Sequence, residues 1–252
     1  MTKFFKFCIV GGSGAVISWA LTWLITERIG LWYIVSMIIA TFVAMVWNFV
    51  WNSKWTFSQQ QNDVNAPDYE WKAFYQGNPI QKWWKQSIAS TVWDWIPDES
   101  SLLNIGCGSS PIAMKYPYAV NIDMNPAKIE FMKRRIPTAT FIQGDACDLR
   151  GLRSESFDHA ICVELIEHVN YPERVVEEIA RLLVKGGNVV IATPDYSRTM
   201  WHLVESFTPY KEWHGAKLTK AAIESMCRQN GLVPVKYKYI ANCDLVEMFE
   251  KR

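Results

Sequence analysis

The sequence carries almost no net charge, and this absence narrows the classes of protein that it can encode. Its 252 residues include 26 Lys and Arg against 25 Asp and Glu, a formal net charge of +1. Nucleic-acid-binding proteins usually show a basic excess or a basic stripe, so we expect no nucleic-acid partner. A chain of this length suits one ordinary domain with a small addition.

Signatures of disulfide frameworks and zinc sites are also missing. The chain has six cysteines and four histidines, but no pair of cysteines has C-x-x-C spacing and no Cys/His cluster has the spacing of a zinc site. No A-x-A-like cleavage site follows the first apolar run, which argues against a secretory signal peptide. We therefore expect reduced cysteines and no metal site.

Two long uncharged runs stand at the start of the chain, at residues 7–26 and 31–53. Each has roughly the 20 residues that an α-helix needs to cross the hydrocarbon core of a bilayer. The short connection between them, residues 27–30, predicts an antiparallel hairpin of two membrane helices. Six of the thirteen Trp lie between Trp19 and Trp55, as expected near membrane interfaces.

Lysines flank this predicted hairpin at Lys3, Lys6 and Lys54. The positive-inside rule therefore places both termini, and the rest of the chain, on the cytoplasmic side of the cell membrane. The bilayer is thus an expected partner.

The hairpin carries two short motifs, FCIVGGSGA at residues 7–15 and NFVWNSKWTF at residues 48–57. They resemble the GtrA-like membrane family, which is associated with polyprenyl-phosphate-linked sugars and cell-surface glycans. That family usually has four membrane helices, whereas this sequence predicts two. The resemblance therefore implies a homodimer through the hairpin, which would restore four helices.

A polar linker is predicted at residues 58–67, between a membrane hairpin at residues 1–57 and a second domain at residues 68–252. The second domain begins with a segment rich in Trp and Lys, residues 68–97, which predicts two or three short helices. Their aromatic face either packs on the rest of this domain or brings Trp83 and Trp84 to the bilayer surface.

Beyond residue 101, short apolar runs alternate with helical stretches, which predicts βαβ units and a mostly parallel, doubly wound α/β sheet. Seven strands are predicted, near residues 101–105, 119–123, 140–143, 159–163, 188–193, 232–240 and 244–249. The main helices are predicted at residues 126–135, 172–183 and 219–230. Gly186 and Gly187 are most simply a turn into the fifth strand.

Four predicted strands end in residues that suit a nucleotide-like ligand. The first runs into Gly106-Cys107-Gly108, where glycines allow close approach of the backbone to a ligand. The next three strands end at Asp123, Asp145 and Glu164. Ligands of open α/β sheets bind at the carboxyl ends of the strands, so these residues are expected to meet there.

Five segments then resemble class I S-adenosylmethionine-dependent methyltransferases of the small-molecule subgroup: LLNIGCGSSP, AVNIDMNP, FIQGDA, FDHAICVELIEHVNYPE and IARLLVKGGNVVIATPD. The resemblance implies a Rossmann-like, seven-stranded methyltransferase sheet and S-adenosylmethionine as the cofactor. It implies these cofactor-binding residues: Asn104, Gly106, Cys107, Gly108, Asp123, Met124, Asp145, Ala146 and Glu164.

The implied roles follow the order of the strands. The glycine turn would line the methionine moiety, Asp123 the ribose and Met124 the adenine. Asp145 and Ala146 would address the adenine amine and ring, with Glu164 beside the cofactor. Asn104 stands where the family usually has an acid, although its amide can still accept a hydrogen bond from the ammonium of the cofactor.

The acceptor is expected near the end of the fifth strand, where residues 197–217 form a long aromatic insertion. We predict that Tyr196, Trp201, Glu205 and His214 border the acceptor. His168 and His214 are the candidates for a general base, since histidine titrates near neutral pH. Either histidine could instead be structural.

The leading hypothesis is a membrane-anchored methyltransferase that acts on a lipid-linked sugar, a lipid or another small molecule at the cytoplasmic face. A dinucleotide-dependent dehydrogenase is disfavoured, because the glycine turn lacks the G-x-G-x-x-G pattern. A non-catalytic membrane adaptor, or transport accessory of surface-glycan synthesis, with a degenerate cofactor fold remains the alternative.

Overall fold

The computed structural model describes residues 3–52, 65–98, 101–207 and 214–252. The chain divides into two compact units, Met1–Asp63 and Val64–Arg252. Most of the predicted linker lies outside the described residues.

The first unit is a hairpin of two apolar helices, as the sequence predicts. Helix α1 spans Lys3–Leu24 and continues through a π-helical turn at Ile25–Ile29, and α2 spans Tyr33–Trp51. Gly30 ends the first helix with a φ of 76°, and its N–H donates to the carbonyls of Ile25 and Thr26. The two spans are long and apolar enough to cross a membrane.

The two helices meet through small and polar residues. A Cβ atom at Gly14 would lie 2.3 Å from Oδ1 of Asn48, so only glycine fits this position as it is packed. Trp47 Nε1 donates to Ser13 Oγ at 3.0 Å across the same interface. Large apolar side chains such as Trp19 and Phe42 point outwards instead.

The second unit is built on a seven-stranded sheet in the order β3-β2-β1-β4-β5-β7-β6. The neighbouring strands from β3 to β5 are parallel, and β7 is antiparallel to both β5 and β6. The strands are β1 Leu102–Ile105, β2 Val120–Asp123, β3 Thr140–Gln143, β4 Phe157–Val163, β5 Leu183–Pro194, β6 Leu232–Ile240 and β7 Asp244–Lys251. The predicted seven-stranded α/β fold is confirmed.

Helices cover the sheet: α3 Tyr69–Tyr75, α4 Pro79–Trp95, α5 Pro126–Lys133, α6 Pro172–Leu182, α7 Thr199–Phe207 and α8 Lys220–Gln229. A 3-10 turn at Pro111–Lys115 follows the glycine turn. Asn78, Asn125 and Thr219 cap α4, α5 and α8 by accepting backbone N–H groups. Apolar residues of α4 and α6 pack into the sheet cores.

Helix α4 shows the packing interpretation of the aromatic segment at Trp84, whereas contact of Trp83 with the bilayer stays a prediction. Trp84 is half-buried, and its Nε1 donates to Asp244 Oδ2 at 2.6 Å, which ties α4 to the start of β7. Trp83, the next residue, is about half exposed. Adjacent residues of one helix therefore face the domain and the solvent.

Strand β5 begins earlier than the sequence predicts. Leu183 already pairs with Phe157, and pairing resumes between Asn188 and His159 after a register shift. Gly186, with a φ of 82°, lies in this irregular stretch. The Gly-Gly pair thus forms an irregularity inside the strand rather than a turn before it.

Candidate active site

The glycine turn after β1 is tied to the end of β2. Gly106 and Gly108 have φ values of 68° and 52°, a region that other residues rarely adopt. The N–H of Gly108 donates to Oδ2 of Asp123 at 2.8 Å, and the N–H of Asn125 donates to Oδ1 at 2.8 Å. The Asp123 carboxylate therefore holds the turn and its own loop in place.

The predicted strand ends form one continuous rim. A Cβ atom at Gly106 would lie 2.8 Å from the side chain of Leu165, the residue after Glu164. On the other side, the N–H of Gly144 donates to the carbonyl of Asp123 at 3.0 Å, which brings Asp145 alongside. The fold thus brings the glycine turn and its three acidic neighbours to the carboxyl ends of four adjacent strands.

The remaining predicted cofactor residues occupy different depths around this rim. Asn104 is buried, and its Nδ2 donates to Oδ1 of Asn121 at 2.9 Å, so the two amides bridge β1 and β2. Cys107 and Ala146 are also buried. Met124 and Asp145 are exposed, and Asp145 Oδ1 accepts the N–H of Cys147 at 2.9 Å.

Glu70 on α3 is a rim residue that the sequence analysis missed. Its Oε2 accepts the N–H and the hydroxyl of Ser109 at 2.9 and 2.5 Å, and its Oε1 pairs with Lys128 Nζ at 2.5 Å. Burial by itself would raise the pKa of Glu70, but Lys128 and the Ser109 hydrogen bonds bring it below its ordinary value. A Cβ atom at Gly108 would lie 2.9 Å from this carboxylate.

Lys85 on α4 is a second missed residue, since it forms an ion pair with Glu164 at the end of β4. Glu164 has a φ of 51°, so the backbone turns sharply where this carboxylate is presented. Neither Glu70 nor Lys85 belongs to a motif of the catalytic domain. Glu70 and Lys85 reach the rim only because α3 and α4 pack against the sheet, which the sequence motifs do not show.

The predicted acceptor residues form one cluster beside β5. The hydroxyl of Tyr196 lies 2.8 Å from Nδ1 of His214 and 3.3 Å from Glu205 Oε1. The ring of Trp201 stacks on His214 with the centroids 5.6 Å apart. These four side chains are therefore neighbours, although residues 208–213 between them lie outside the described part of the chain.

Glu167 and His168 connect this acceptor cluster to the rim. The ring of His168 lies edge-on to that of His214, with the centroids 4.9 Å apart. Glu167 is almost completely buried, and its Oε2 accepts the hydroxyl of Thr193 at 3.0 Å. Asp244 at the start of β7 is equally buried.

Three buried groups of this region, Glu167, His214 and Asp244, have strongly shifted pKa values. Burial, with a smaller effect of Glu164, raises the pKa of Glu167 to about 8. Burial, followed by the neighbouring His168 and Lys85, lowers the pKa of His214 to about 4. Burial raises the pKa of Asp244 well above its ordinary value. Such shifts concentrate where proteins carry out chemistry, although buried structural pairs also show them.

Two family models each match one part of the chain. Residues 103–191 match the methyltransferase domain model, and residues 6–94 match the model of the GtrA/DPMS transmembrane domain. Both resemblances stated from the sequence are confirmed. The second match extends beyond the predicted hairpin into α3 and α4.

Curated relatives agree with the first match. The chain is 25% identical over 149 residues to a ubiquinone biosynthesis O-methyltransferase of Nitrosomonas europaea, covering 54% of this chain and 60% of that protein. It is 28% identical over 139 residues to the protein of the same name from Aeromonas salmonicida, covering 49% and 53%. The chain therefore spans between half and two thirds of the length of these relatives.

Solved structures share the fold. A protein of Thermotoga maritima described as an S-adenosylmethionine-dependent methyltransferase superposes with a TM-score of 0.58 and 22% identity, covering 73% of this chain and all of that one. A Haloferax volcanii complex of the Trm112 methyltransferase activator with a methyltransferase gives a TM-score of 0.60 at 17% identity, covering 75% of this chain and 97% of that chain. The match to a methyltransferase domain, in turn, implies S-adenosylmethionine as the cofactor of this domain.

Proposed function

We propose that this chain, which joins a GtrA/DPMS transmembrane domain to an S-adenosylmethionine-dependent methyltransferase domain, methylates a hydroxyl of a membrane-associated acceptor at the cytoplasmic face of the cell membrane. The observation that carries the proposal is the continuous rim from Glu164 through the glycine turn to Asp123 and Asp145. The acceptor cluster adjoins its Glu164 end through Glu167 and His168.

The residues of the rim fit an adenosyl cofactor. Each carboxylate oxygen has two acceptor sites, and each oxygen of Asp123 accepts one backbone N–H, so both can still accept ribose hydroxyls. Glycines at positive φ present the backbone of the turn without side chains. Asp145 is exposed at the next strand end and can accept an exocyclic amine.

Glu70 offers a charge that the turn itself lacks. The family resemblance places an acid at position 104, and here the Asn104 amide is bound to Asn121 instead. The Glu70 carboxylate lies over Gly108 and Ser109, at the side of the turn that would face the methionine moiety. We propose that Glu70 and Asn104 together serve the ammonium of the cofactor.

The cofactor supplies a methyl carbon activated by a sulfonium. The task of the protein is then to hold the acceptor oxygen in line with that carbon, since proximity and alignment can lower such a barrier by several kcal/mol. The cluster of Tyr196, Trp201, Glu205 and His214 is the proposed acceptor wall. Its aromatic rings suit an apolar or sugar-like acceptor, and its polar atoms can orient a hydroxyl.

Two facts favour a membrane-associated acceptor and a hydroxyl. The hairpin would hold the catalytic unit beside the bilayer, and Lys3, Lys6 and Lys54 favour a cytoplasmic location for both ends of the hairpin. The names of the curated relatives describe O-methylation in ubiquinone biosynthesis. We propose a lipid-linked sugar, a lipid or another small molecule as the acceptor, and a homodimer that pairs two hairpins.

The test is incubation of the full-length protein in native membranes with S-adenosylmethionine labelled at its methyl group, followed by lipid extraction. We expect label in the lipid fraction, and a loss of about 100-fold or more for Asp123→Ala, because this carboxylate both shapes the turn and binds ribose. The matched control is Asp94→Ala, an exposed aspartate of α4, which should label like the wild type.

Calorimetry with S-adenosylhomocysteine and with NAD distinguishes the remaining outcomes. Binding of S-adenosylhomocysteine without label in any membrane fraction would contradict the enzyme and favour the non-catalytic adaptor. Binding of NAD alone would contradict the cofactor assignment. Equal labelling by the Asp123 and Asp94 variants would show that the rim is not the active site.

A further inference from the structure

Three potential metal ligands converge where the acceptor cluster meets the rim. A carboxylate oxygen of Glu167 and one ring nitrogen each of His168 and His214 lie within 4.8 Å of one another. Glu167 and His168 follow β4, whereas His214 comes from the segment that precedes α8. Because their separation along the chain is large, the ligand spacing of the sequence did not predict this site.

The donor set favours one class of cation. Two imidazole nitrogens and one carboxylate suit borderline divalent transition metals such as Zn²⁺, Fe²⁺, Mn²⁺ and Co²⁺. Mg²⁺ and Ca²⁺ prefer oxygen ligands throughout. Three protein ligands would also leave coordination positions open, as in catalytic rather than structural metal sites.

Two of the three ligands are already held by neighbouring groups. The Glu167 carboxylate accepts the Thr193 hydroxyl at 3.0 Å. Nδ1 of His214 is 2.8 Å from the Tyr196 hydroxyl, and the ring stacks on Trp201. A histidine that binds a metal commonly uses its second ring nitrogen in such an orienting hydrogen bond, which assigns Nε2 of His214 to the cation.

The charges and the access around the three ligands also suit a cation. The buried carboxyl groups of Glu167 and Asp244 lie in this region. Of the ammonium groups nearby, Lys85 is paired with Glu164, and Lys217 lies over the Tyr196 ring at 5.7 Å from its centroid. His168 is exposed, so solvent reaches this side of the cluster, and a cation could enter from it.

We propose that Glu167, His168 and His214 bind one divalent transition-metal ion, and that its open coordination positions receive the acceptor hydroxyl. The second half of this statement rests on the proposed methyltransferase function, whereas the metal site does not. A bound divalent cation would stabilise the acceptor as an alkoxide or phenolate, so that the oxygen attacks with its proton already released to solvent.

The experiment is a titration of chelator-treated, full-length protein in mild detergent with Co²⁺, followed by the visible d–d absorption and by calorimetry. We expect one Co²⁺ per chain with bands typical of nitrogen and oxygen ligands. His214→Ala and Glu167→Gln should each weaken binding by about 100-fold, and Tyr196→Phe, which removes only the orienting hydroxyl, by about 10-fold. Zn²⁺ and Mn²⁺ should compete for the site.

The matched control is His202→Ala, an exposed histidine of α7 outside the set of three, which should bind Co²⁺ like the wild type. Calorimetry with S-adenosylhomocysteine shows that each variant is folded. Thiolate charge-transfer bands, equal loss in the His202 variant, or no loss in the Glu167 and His214 variants would overturn the metal site. Metal binding without methyl transfer would leave the site standing and contradict the proposed function.

Discussion

The hairpin and the catalytic unit place their apolar residues in opposite ways. In the catalytic unit, large apolar side chains such as Phe249 and Ile161 are completely buried, and acids gather at the strand ends. In the hairpin, large apolar side chains such as Trp19 and Phe42 face outwards, and the interface holds Gly14, Asn48 and other small or polar residues.

This contrast is the one expected if water surrounds the catalytic unit and lipid surrounds the hairpin. Water drives apolar side chains inwards, whereas lipid is as apolar as leucine and gives no such drive. Helices in lipid associate by close packing of small residues and by polar contacts, which is what the described hairpin shows at Gly14 and between Ser13 and Trp47. The match to a transmembrane domain agrees with this pattern.

The largest expected effect comes from making the same truncation in both units. Phe249→Ala should lower the free energy of unfolding of the catalytic unit by about 3–5 kcal/mol, because it leaves a cavity in a packed core. Phe42→Ala, at a side chain 66% exposed, should change hairpin stability by less than about 1 kcal/mol, since lipid or detergent surrounds it before and after unfolding. Urea denaturation in detergent, monitored by circular dichroism, measures both. A large loss for Phe42→Ala would break the comparison.

A smaller effect is expected at the helix–helix interface. Gly14→Ala places a Cβ atom against the Asn48 amide and should destabilise the hairpin by about 1–3 kcal/mol. Gly12→Ala is the matched control, because a Cβ atom there would meet nothing within 4 Å. Disulfide trapping between cysteines introduced into α1 and α2 measures hairpin closure. Equal closure in the two variants would show that the Gly14–Asn48 packing does not hold the hairpin together.

The smallest expected effect is a dependence of stability on pH that the catalytic unit should show and the hairpin should not. Burial raises the pKa of Glu247 to about 7, although Lys220 opposes the shift, against an ordinary value of 4.5. Between these pKa values the folded state binds more protons at Glu247 than the unfolded state does. The contribution of Glu247 to the free energy of unfolding is therefore greatest below pH 4.5 and is lost as the pH rises through 7. We expect this residue to account for on the order of 1–2 kcal/mol of that fall.

Glu247→Gln isolates this contribution from other titrating groups. The difference between wild-type and variant unfolding free energies, measured by urea denaturation from pH 4.5 to 8, should change across this interval and level off above it. Hairpin helicity should not change over the same range. A difference that is constant with pH would show that Glu247 is ionised equally in both states.

Much of the fold follows from local sequence, because strand and helix periodicities and capping residues act over short distances. Six of the seven strands lie close to the predicted ranges, and Asn125 and Thr219 cap the helices where they begin. Strand β5 is the exception. Its early pairing at Leu183 depends on the partner strand β4, which the local Gly-Gly pattern does not reveal.

The candidate site was predicted less completely, because part of it comes from outside the motifs. The glycine turn and the three acidic residues directly follow their strands, so the sequence alone predicts that they lie at one edge of the sheet. Glu70 and Lys85 lie in a segment that the sequence marks only as rich in Trp and Lys, and their contacts depend on how α3 and α4 pack on the sheet. The approach of His214 to His168 likewise depends on a tertiary contact.

The anchoring of Glu70 to Ser109 has a practical consequence for anyone who wishes to express a soluble fragment. A truncation that starts at the first strand would keep every recognisable methyltransferase motif. It would nevertheless remove Glu70, which binds Ser109, and Lys85, which pairs with Glu164 at the rim. The shortest fragment that retains them has to begin before Tyr69. The boundary drawn by the methyltransferase family match is therefore not a safe cloning boundary for this chain.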